Sequence, residues 1–410
     1  MNRYLLQLIT LLMPFLLALA SCSSPEYDSK QSDNQTYSSA ESTTTIPVKD
    51  CLDFAASQLE KTVLQVADSN SFPRYVNAEG RWETLDSHAW SSGFFPGCLW
   101  FMYEYTGADA WKEHAMAWTA GMEGEKFNRE NHNNGFMMMS SFGNGHRLTG
   151  RDDYREVLIE SARSLATRFN KRVGMIKANE MDLWEYPVMV DTMVNIELLF
   201  HAASLGGDPE WVKMAETHAR NTIAHHIRAD GGTIQVVDFD PVTGNMLKHD
   251  TLCGLSGDST WSRGQGQALY GFAVAYRETG KQEFLKTAID VADYLIDHLP
   301  EDSIPWWDNN DPAIPNVVRD SSAAAIACVG LLELQKLVDD SGMKTKYLEV
   351  AEAMLASLCS TSYLADASES AGIITHATWK KPTDPQADTS LIWGDYSFIE
   401  ALLKYHEIRR

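Results

Sequence analysis

Asp191 is the side chain in this 410-residue sequence that is best placed for acid–base chemistry. It is a single carboxyl group within the apolar run PVMVDTMVN, residues 187–195. Apolar neighbours exclude water, and loss of hydration disfavours the charged form, so the pKa of Asp191 should be raised. A carboxyl group that keeps its proton near neutral pH can act as a general acid. A helix N-cap or a helix-terminal charge would use the same residue, and the sequence leaves these interpretations open.

A polar stretch upstream, NRENHNNGFMMMSSFG at residues 128–143, carries amides where a hydrolase would be expected to carry carboxylates. His132 can donate a hydrogen bond there or serve a structural purpose. Asn133 can hold a water or a substrate hydroxyl group, but an amide cannot accept a proton. The stretch therefore predicts either one wall of a site or an Asn-rich turn before a helix.

Two other side chains have chemistry that suits ligand binding. Trp90 can stack on the face of a sugar ring or belong to the core. Arg263, close to Trp261, can grip a substrate carboxylate as a planar fork or form an ordinary surface ion pair.

The sequence offers little support for a metal site. Asp238 and Asp240 do not have the spacing of a known calcium loop, and we interpret them as a solvated turn. The cysteines after residue 50 are scattered and include no CxxC, which supports neither a zinc site nor a disulfide framework.

These candidates must be held by helices, because most of the chain after Asp50 shows helical periodicity. A joint recurs in which an apolar helix is followed by glycine, a polar starter and an aromatic residue. Glycine suits the left-handed residue just past a helix end, and the aromatic ring can pack back on the joint. The pairs are Gly107 with Trp111, Gly150 with Tyr154, Gly207 with Trp211, Gly280 with Phe284 and, one residue longer, Gly342 with Tyr347.

Repeated joints of this kind predict stacked helical hairpins with the longer loops on the opposite side. Twelve helices in six hairpins suggest an all-α, closed (α/α)6 barrel, although an open solenoid would have the same periodicity. The short joints should gather at one end and the Trp-, His- and Asp-bearing loops at the other, where we expect the site. The helices are predicted near 50–66, 92–106, 109–125, 134–148, 152–170, 189–205, 209–226, 264–279, 281–298, 320–340, 343–359 and 394–408.

The N-terminus has the features of an export signal. Arg3 precedes an apolar run from Leu5 to Ala20 that is typical of a secretory signal rather than a stable membrane span. The run ends in Leu-Ala-Ser-Cys22, which resembles a bacterial lipoprotein cleavage site, and Ser23 favours the outer membrane on that resemblance. We expect a signal peptide at 1–22, a flexible polar tether at 23–48 and one catalytic domain at 49–410, held to the membrane only through a lipid anchor at Cys22.

The net charge of −22 excludes several kinds of partner. No basic stripe is available to neutralise phosphates, which argues against nucleic acid and against anionic membrane surfaces. An anionic substrate would need local arginines instead.

The long-loop segments together resemble the unsaturated glucuronyl hydrolases of glycoside hydrolase family 88, with the unsaturated rhamnogalacturonyl hydrolases of family 105 as close relatives. The resemblance covers about residues 82–405 and rests on WSSGFFPG from Trp90, HNNGF from His132, YPVMVDTMVN from Tyr186 and STWSRGQGQ from Ser259. It implies an (α/α)6 barrel, no metal or organic cofactor, and release of a 4,5-unsaturated uronic acid from lyase-generated oligosaccharides. It also implies that Asp191 is the general acid/base and that Trp90, His132, Thr251 and Arg263 line the site, with His376 in a late loop that closes over the sugar.

Four positions depart from the family pattern. Asn133 stands where the family has its second carboxylate, Gln235 where a histidine is usual, Cys253 where a glutamine is usual, and Gln267 where a sugar-stacking tryptophan is usual. On the resemblance, we expect Gln235 and Gln267 to bind the substrate at these positions. These departures leave two alternatives open: a glycosidase of the same fold for another terminal sugar, and a non-catalytic glycan-binding lipoprotein. The start of the last helix, WGDYSF, contains Asp395, which we interpret as the cap of that helix.

Overall fold

The structure is a computed structural model and describes residues 46–410. The predicted signal peptide, Cys22 and nearly all of the predicted tether lie outside these residues. Among residues 46–410, no helix combines the length and apolar character that a membrane span requires.

Helices dominate the described chain. α4, a π-helical turn at Met139–Gly143 and α5 follow one another without a break, and only Ile196 separates α7 from α8, so residues 46–410 contain twelve helical runs, at the predicted places. A short 3-10 helix also lies at Glu123–Phe127. The helices are α1 Val48–Val66, α2 Phe94–Thr106, α3 Asp109–Gly121, α4 Asn134–Met138, α5 Asn144–Thr149, α6 Asp152–Ala166, α7 Thr192–Asn195, α8 Glu197–Ser204, α9 Glu210–His226, α10 Ser262–Thr279, α11 Gln282–Asp297, α12 Ser321–Leu337, α13 Ser341–Leu358 and α14 Ile392–Ile408.

Six of these runs form an inner ring: α2, α4–α5, α7–α8, α10, α12 and α14. Each contacts the next, and α14 contacts α2, which closes the ring into the predicted (α/α)6 barrel. In α12 every residue from Ser321 to Leu334 is buried, as expected for a helix surrounded by other helices. The main apolar core lies between this ring and the outer helices α3, α6, α9, α11, α13 and α1.

The sixth inner–outer pair is not a hairpin. Five inner helices are each followed by the outer helix that packs on them, whereas α14 packs against α1, the first described helix. Gln58 of α1 donates hydrogen bonds to the backbone oxygens of Ser370 (2.8 Å) and Gly372 (2.6 Å), which fixes α1 to the segment before α14. The prediction of six consecutive hairpins therefore holds for five of them.

The glycine joints are largely as predicted. Gly107, Gly150 and Gly280 have left-handed φ values of 68°, 67° and 65°. In the third joint Gly206 takes that conformation, with φ 97°, while a Cβ on Gly207 would lie 2.4 Å from the Trp211 ring.

The fifth joint differs from the prediction. Gly342 lies in the first turn of α13 and is not left-handed. The preceding Asp340 starts that helix by accepting a hydrogen bond from the Met343 backbone at 2.8 Å.

Short strands, which the helical periodicity did not predict, lie in the long loops at the end of the barrel opposite the glycine joints. β1 (Phe72–Val76) pairs with β2 (Trp82–Leu85), β3 (Phe169–Asn170) with β4 (Met175–Ile176), and β5 (Pro187–Met189), β6 (Val236–Phe239) and β7 (Met246–Asp250) form an antiparallel sheet in that order. The interpretation of Asp238 as solvated is wrong: it is buried in β6 and accepts the backbone N–H groups of Glu185 and Tyr186.

Two glycine substitutions test the contact between inner helices. A Cβ at Gly107 would meet nothing within 4 Å, so Gly107→Ala should lower the free energy of unfolding only through the strain of a left-handed alanine, by roughly 1 kcal/mol. A Cβ at Gly135 would lie 2.2 Å from the Asn195 backbone oxygen, so Gly135→Ala must push α4 away from α7 and should cost about 3 kcal/mol or more. Urea unfolding measures both changes, and equal losses would contradict the close approach of α4 to α7.

Candidate active site

The N-terminal ends of the six inner helices meet at one end of the barrel. Five inner helices end at a short joint that leads into the outer helix packed on them, so their C-terminal ends lie at the joint end of the barrel and their N-terminal ends at the other. The sixth, α14, runs in the same direction. Free backbone N–H groups at helix starts carry positive partial charge, which favours an anionic ligand at this mouth. The mouth carries the candidates at or near these starts: Trp90, Asn133, Asp191, Arg263, Asp320 and Trp393.

Asp191 lies at the mouth between β5 and α7. It occupies the N-cap position of α7 but makes no capping hydrogen bond with its side chain. Its side chain is 15% exposed; Oδ1 is buried without a hydrogen-bond partner among the described residues, and Oδ2 lies 3.7 Å from Nε2 of His132. Burial raises the pKa of Asp191 to about 6. The environment is the one that the apolar flanking residues predicted.

His132 is held rigidly beside this carboxyl group. Its backbone N–H donates to the Ala178 oxygen at 3.0 Å, and its Nδ1 shares a 2.7 Å hydrogen bond with the Thr192 hydroxyl. Burial, aided by the charge of Arg168, lowers the pKa of His132 to about 3. The ring is therefore neutral near pH 7 and does not form an ion pair with Asp191; it presents a neutral imidazole nitrogen to the acid.

Asn133 is buried next to His132, yet its side-chain amide bonds to none of the described residues. Its backbone N–H donates to Asn131 at 3.0 Å. Three residues further on, the Phe136 backbone N–H donates to the Asn195 side chain at 2.8 Å, which fixes the position of α4 against α7. The stretch is thus part of the mouth, and the amide of Asn133 is left available.

Gln235 and Thr251 shape the neighbouring loop. The side-chain oxygen of Gln235 accepts the Thr251 hydroxyl at 2.5 Å and the backbone N–H groups of Leu252 and Cys253, both at 2.8 Å. Thr251 in turn accepts the Gly254 N–H at 2.8 Å. Both side chains, predicted to bind substrate, are thus engaged in holding the loop.

Cys253 and Gln267 are two of the departures from the family pattern. Burial raises the pKa of the Cys253 thiol to about 11, so it is neutral, and Asp191 and Arg263 lie within electrostatic range of it. Gln267 lies one helical turn after Arg263 on α10, and its buried side-chain oxygen has no partner among the described residues.

Arg263 does not have the free fork that the sequence suggested. Its Nη1 donates to Asp320 (3.0 Å), Ser322 (3.0 Å) and the Thr378 backbone (2.7 Å), and its Nη2 donates to the Trp379 backbone (2.6 Å). Asp320 is fully buried and also caps α12. These bonds make Arg263 a support that fastens the late loop, residues 376–389, to the start of α12.

Trp90 lies in an aromatic group at the starts of α2 and α14. Its half-buried ring packs against Trp393 at a centroid distance of 4.7 Å and against Phe94 at 6.2 Å. Arg74 lies over Trp90, and sequence analysis missed it because nothing in FPRYV marks its arginine as functional.

His376 lies at the base of the late loop. Its Nδ1 lies 2.6 Å from an Asp388 oxygen, its side chain is about half exposed, and both residues have left-handed φ values, 60° and 57°. The Asp388 hydrogen bond raises the pKa of His376. This pair fastens the two ends of the loop to each other, and no contact of His376 with Asp191 is present.

Asp395 is not the cap of α14. The helix has Leu391 at its N-cap position, and Asp395 lies inside its first turn, fully buried. It accepts the backbone N–H groups of Ile373 (3.0 Å) and Ile374 (2.9 Å), while burial raises its pKa to about 7. Its function in the structure is to anchor the strand-like segment before the late loop.

A cavity of about 690 Å³ lies at the other end of the barrel, among the C-terminal ends of the inner helices. Its charged groups satisfy one another: Arg147 pairs with Glu104 at 2.6 Å, and Arg277 with Glu197 at 2.9 Å and Glu333 at 2.7 Å. The Asp191 mouth has four buried polar atoms without a partner among the described residues, in Asp191, Trp261, Gln267 and Trp393, whereas the other cavity has one, Nε2 of His201. Such atoms call for water or a polar ligand, so we assign the candidate active site to the mouth.

The raised pKa of Asp191 makes a prediction about stability. Its folded pKa of about 6 lies above the usual value of about 3.9, so wild-type stability should fall as pH rises from roughly 4 to 6. Asp191→Asn removes that penalty and should raise the free energy of unfolding at pH 8 relative to wild type, with little change at pH 4.

Asp240→Asn is the matched control, measured by urea unfolding at both pH values. The Val242 and Thr243 backbones hold the pKa of Asp240 below its usual value, so this variant should lose stability at pH 8. An Asp191→Asn variant that is less stable at pH 8 than wild type would contradict the assignment of a desolvated, unpaired carboxyl group.

Sequence and structure comparisons place the chain among sugar-cleaving enzymes. An unsaturated glucuronyl hydrolase of Formosa agariphila is 37% identical over 353 residues, which are 84% of this chain and 87% of the relative. An unsaturated chondroitin disaccharide hydrolase of Streptococcus pyogenes serotype M1 is 32% identical, over 82% and 86% of the two chains. The crystal structure of an unsaturated glucuronyl hydrolase specific for heparin superposes with a TM-score of 0.85 at 34% identity, over 88% of this chain and 97% of that one. No protein-family profile matches the sequence.

Proposed function

Because the chain belongs to the unsaturated glucuronyl hydrolases, glycoside hydrolase family 88, we propose that its mouth releases a 4,5-unsaturated uronic acid from the non-reducing end of lyase-generated oligosaccharides. The observation that carries this proposal is the state of Asp191. Its buried carboxyl group has an unpartnered oxygen and a pKa of about 6, so a substantial fraction holds a proton in mildly acidic solution. A weak acid is what protonation of a vinyl ether requires.

The proposed reaction is a hydration. Asp191 gives its proton to C4 of the unsaturated ring, and the electrons of the C4–C5 double bond form the new C–H bond. Positive charge develops at C5 and the ring oxygen, and the Asp191 carboxylate then takes a proton from the water that adds at C5. The resulting hemiketal opens and the bond to the next sugar breaks, so that one water is consumed and Asp191 regains its proton.

The neighbouring side chains support a single carboxyl group that both gives and takes the proton. His132 is neutral, and its Nε2, 3.7 Å from Asp191, can orient the acid without competing for the proton. Asn133 cannot accept a proton but can hold the water or a substrate hydroxyl through its unpaired amide. Trp90 offers a half-buried aromatic face for a sugar ring.

The substrates that we propose are disaccharides with an unsaturated uronic acid, since one relative is named for chondroitin disaccharides and a similar structure is described as specific for heparin. We also propose that the enzyme is anchored in the cell envelope, at the outer membrane, through Cys22. The apolar run from Leu5 to Ala20 and the LASC sequence support that proposal.

Loss of ultraviolet absorbance tests the reaction, because hydration destroys the conjugated double bond. Wild-type protein should bleach unsaturated disaccharides prepared from chondroitin and heparin with lyases, and Asp191→Asn should abolish turnover while preserving the fold and sugar binding. Full activity of Asp191→Asn would exclude Asp191 as the acid. Binding without bleaching by the wild type would favour a non-catalytic glycan-binding protein.

Asn133 is the observation that favours a second candidate, a glycosidase for another terminal sugar. A carboxylate at this position would repel the charged form of Asp191 and raise its pKa. Asn133→Asp should therefore move the upper pKa of the pH–rate profile to higher pH and increase turnover of unsaturated uronides.

Asn131→Asp is the control, because it adds the same charge to the same turn two residues away. It should leave the profile closer to that of the wild type. If Asn133→Asp lowers activity and leaves the upper pKa unmoved, Asn133 is a specificity residue for a different sugar, and the second candidate is favoured.

A further inference from the structure

Arg74 is a buried cation enclosed by tryptophans. It lies in β1, is 7% exposed, and places its guanidinium carbon 4.6 Å from the Trp379 ring centre, 5.4 Å from Trp90 and 5.8 Å from Trp393. The three rings come from distant parts of the chain and meet only at the mouth. Their faces stabilise a cation, but they supply no hydrogen-bond acceptor in the plane of the guanidinium group.

The donors of Arg74 are largely unused. Its Nε donates to the Gln386 side chain at 2.8 Å, and its Nη1 has one long contact, 3.5 Å, with the Ser91 hydroxyl. Among residues 46–410 no carboxylate lies within ion-pair distance of it, in contrast to Arg263, which has Asp320 at 3.0 Å. The charge of Asp384 acts on Arg74 only from beyond ion-pair distance, so the buried cation is incompletely compensated and an added anion would stabilise it.

Arg74 faces the same mouth as Asp191. The centre of the Trp393 ring is 5.8 Å from the guanidinium carbon of Arg74 and 5.4 Å from that of Arg263. Burial lowers the pKa of Arg74 and raises that of Asp191, and the charge of Arg263 lowers both, so Arg263 is a common neighbour of the two groups. Ser91 and Trp90, which touch Arg74, precede α2, whose free N–H groups add positive potential.

We propose that Arg74, with the faces of Trp90 and Trp379, forms an oxyanion subsite that receives an anionic group of the substrate sugar, either the uronate carboxylate or a sulfate ester. A guanidinium group binds both through paired N–H donors. This inference rests on the proposed function, since the subsite opens on the Asp191 mouth. It adds Arg74 to Arg263 as a residue that recognises negative charge at this mouth.

The test compares Arg74→Met with wild type on two unsaturated chondroitin disaccharides, one without sulfate and one with a 6-sulfate on the hexosamine. Methionine keeps an apolar stem beneath the tryptophans and removes the charge. A hydrogen bond to a charged group contributes about 1.5–3 kcal/mol, so KM should rise about 10- to 100-fold while kcat changes much less. A rise on both substrates identifies the carboxylate as the ligand, and a rise on the sulfated one alone identifies the sulfate.

Two further variants separate binding from a structural effect. Arg74→Lys keeps the charge without the fork and should give a smaller rise in KM, which also keeps the test available if Arg74→Met does not fold. Arg151→Met is the matched control, because Arg151 also lies over an aromatic ring, Tyr154 at 4.5 Å, but near a glycine joint, and it should leave KM unchanged. A KM within twofold of wild type for both Arg74 variants on both substrates would overturn the subsite.

Titration of tryptophan fluorescence with sodium glucuronate and with sodium sulfate distinguishes this inference from the proposed function. Binding of either anion should be weakened at least tenfold by Arg74→Met. If the wild type bleaches no unsaturated disaccharide but binds glucuronate through Arg74, the proposed hydrolysis fails and the subsite stands. If the wild type bleaches both disaccharides and Arg74→Met does so with unchanged KM and unchanged anion binding, the subsite fails and the hydrolysis stands.

Discussion

The common direction of the six inner helices is the constraint on which the rest of the structure depends. It brings six helix starts to one end of the barrel, each with a positive partial charge equivalent to roughly half an elementary charge. Asp191, Asn133 and Arg263 lie within two residues of such a start. A protein with a net charge of −22 thereby has a mouth that favours anions, although its whole surface would repel them at long range.

Two buried arginines show how differently this mouth uses positive charge. Arg263 pairs with Asp320 and donates to two backbone oxygens, so most of its bonding fixes the geometry of the late loop. Arg74 is enclosed by aromatic rings and keeps its terminal donors largely free. The paired charge of Arg263 stabilises the loops around the mouth, whereas the incompletely paired charge of Arg74 is suited to binding an anionic ligand.

Features that depend on residues near one another in the sequence could be predicted, whereas contacts between distant residues could not. Helix positions followed from hydrophobic periodicity, four of the five glycine joints from the left-handed preference of glycine, and the raised pKa of Asp191 from the apolar residues next to it in the chain. The partners of Arg263 could not be read in this way, because Asp320 is 57 residues away and Thr378 is 115 residues away. Asp238 was misread for the same reason, since the backbone groups that it accepts lie more than 50 residues earlier. The strands were missed because they are too short to show alternation.

The pairing of α1 with α14 has a consequence for how the chain acquires its fold. Residues that touch across this pair are separated by more than 300 positions, as Gln58 and Gly372 are, whereas the other inner–outer pairs join neighbours in sequence. Loop-closure entropy makes such distant contacts late and slow to form. During synthesis α1 emerges early and must keep its apolar side unpaired until α14 follows. The ring therefore closes only when α14, its last helix, has been synthesised. Until then the side of α1 that packs on α14 remains exposed in the nascent chain.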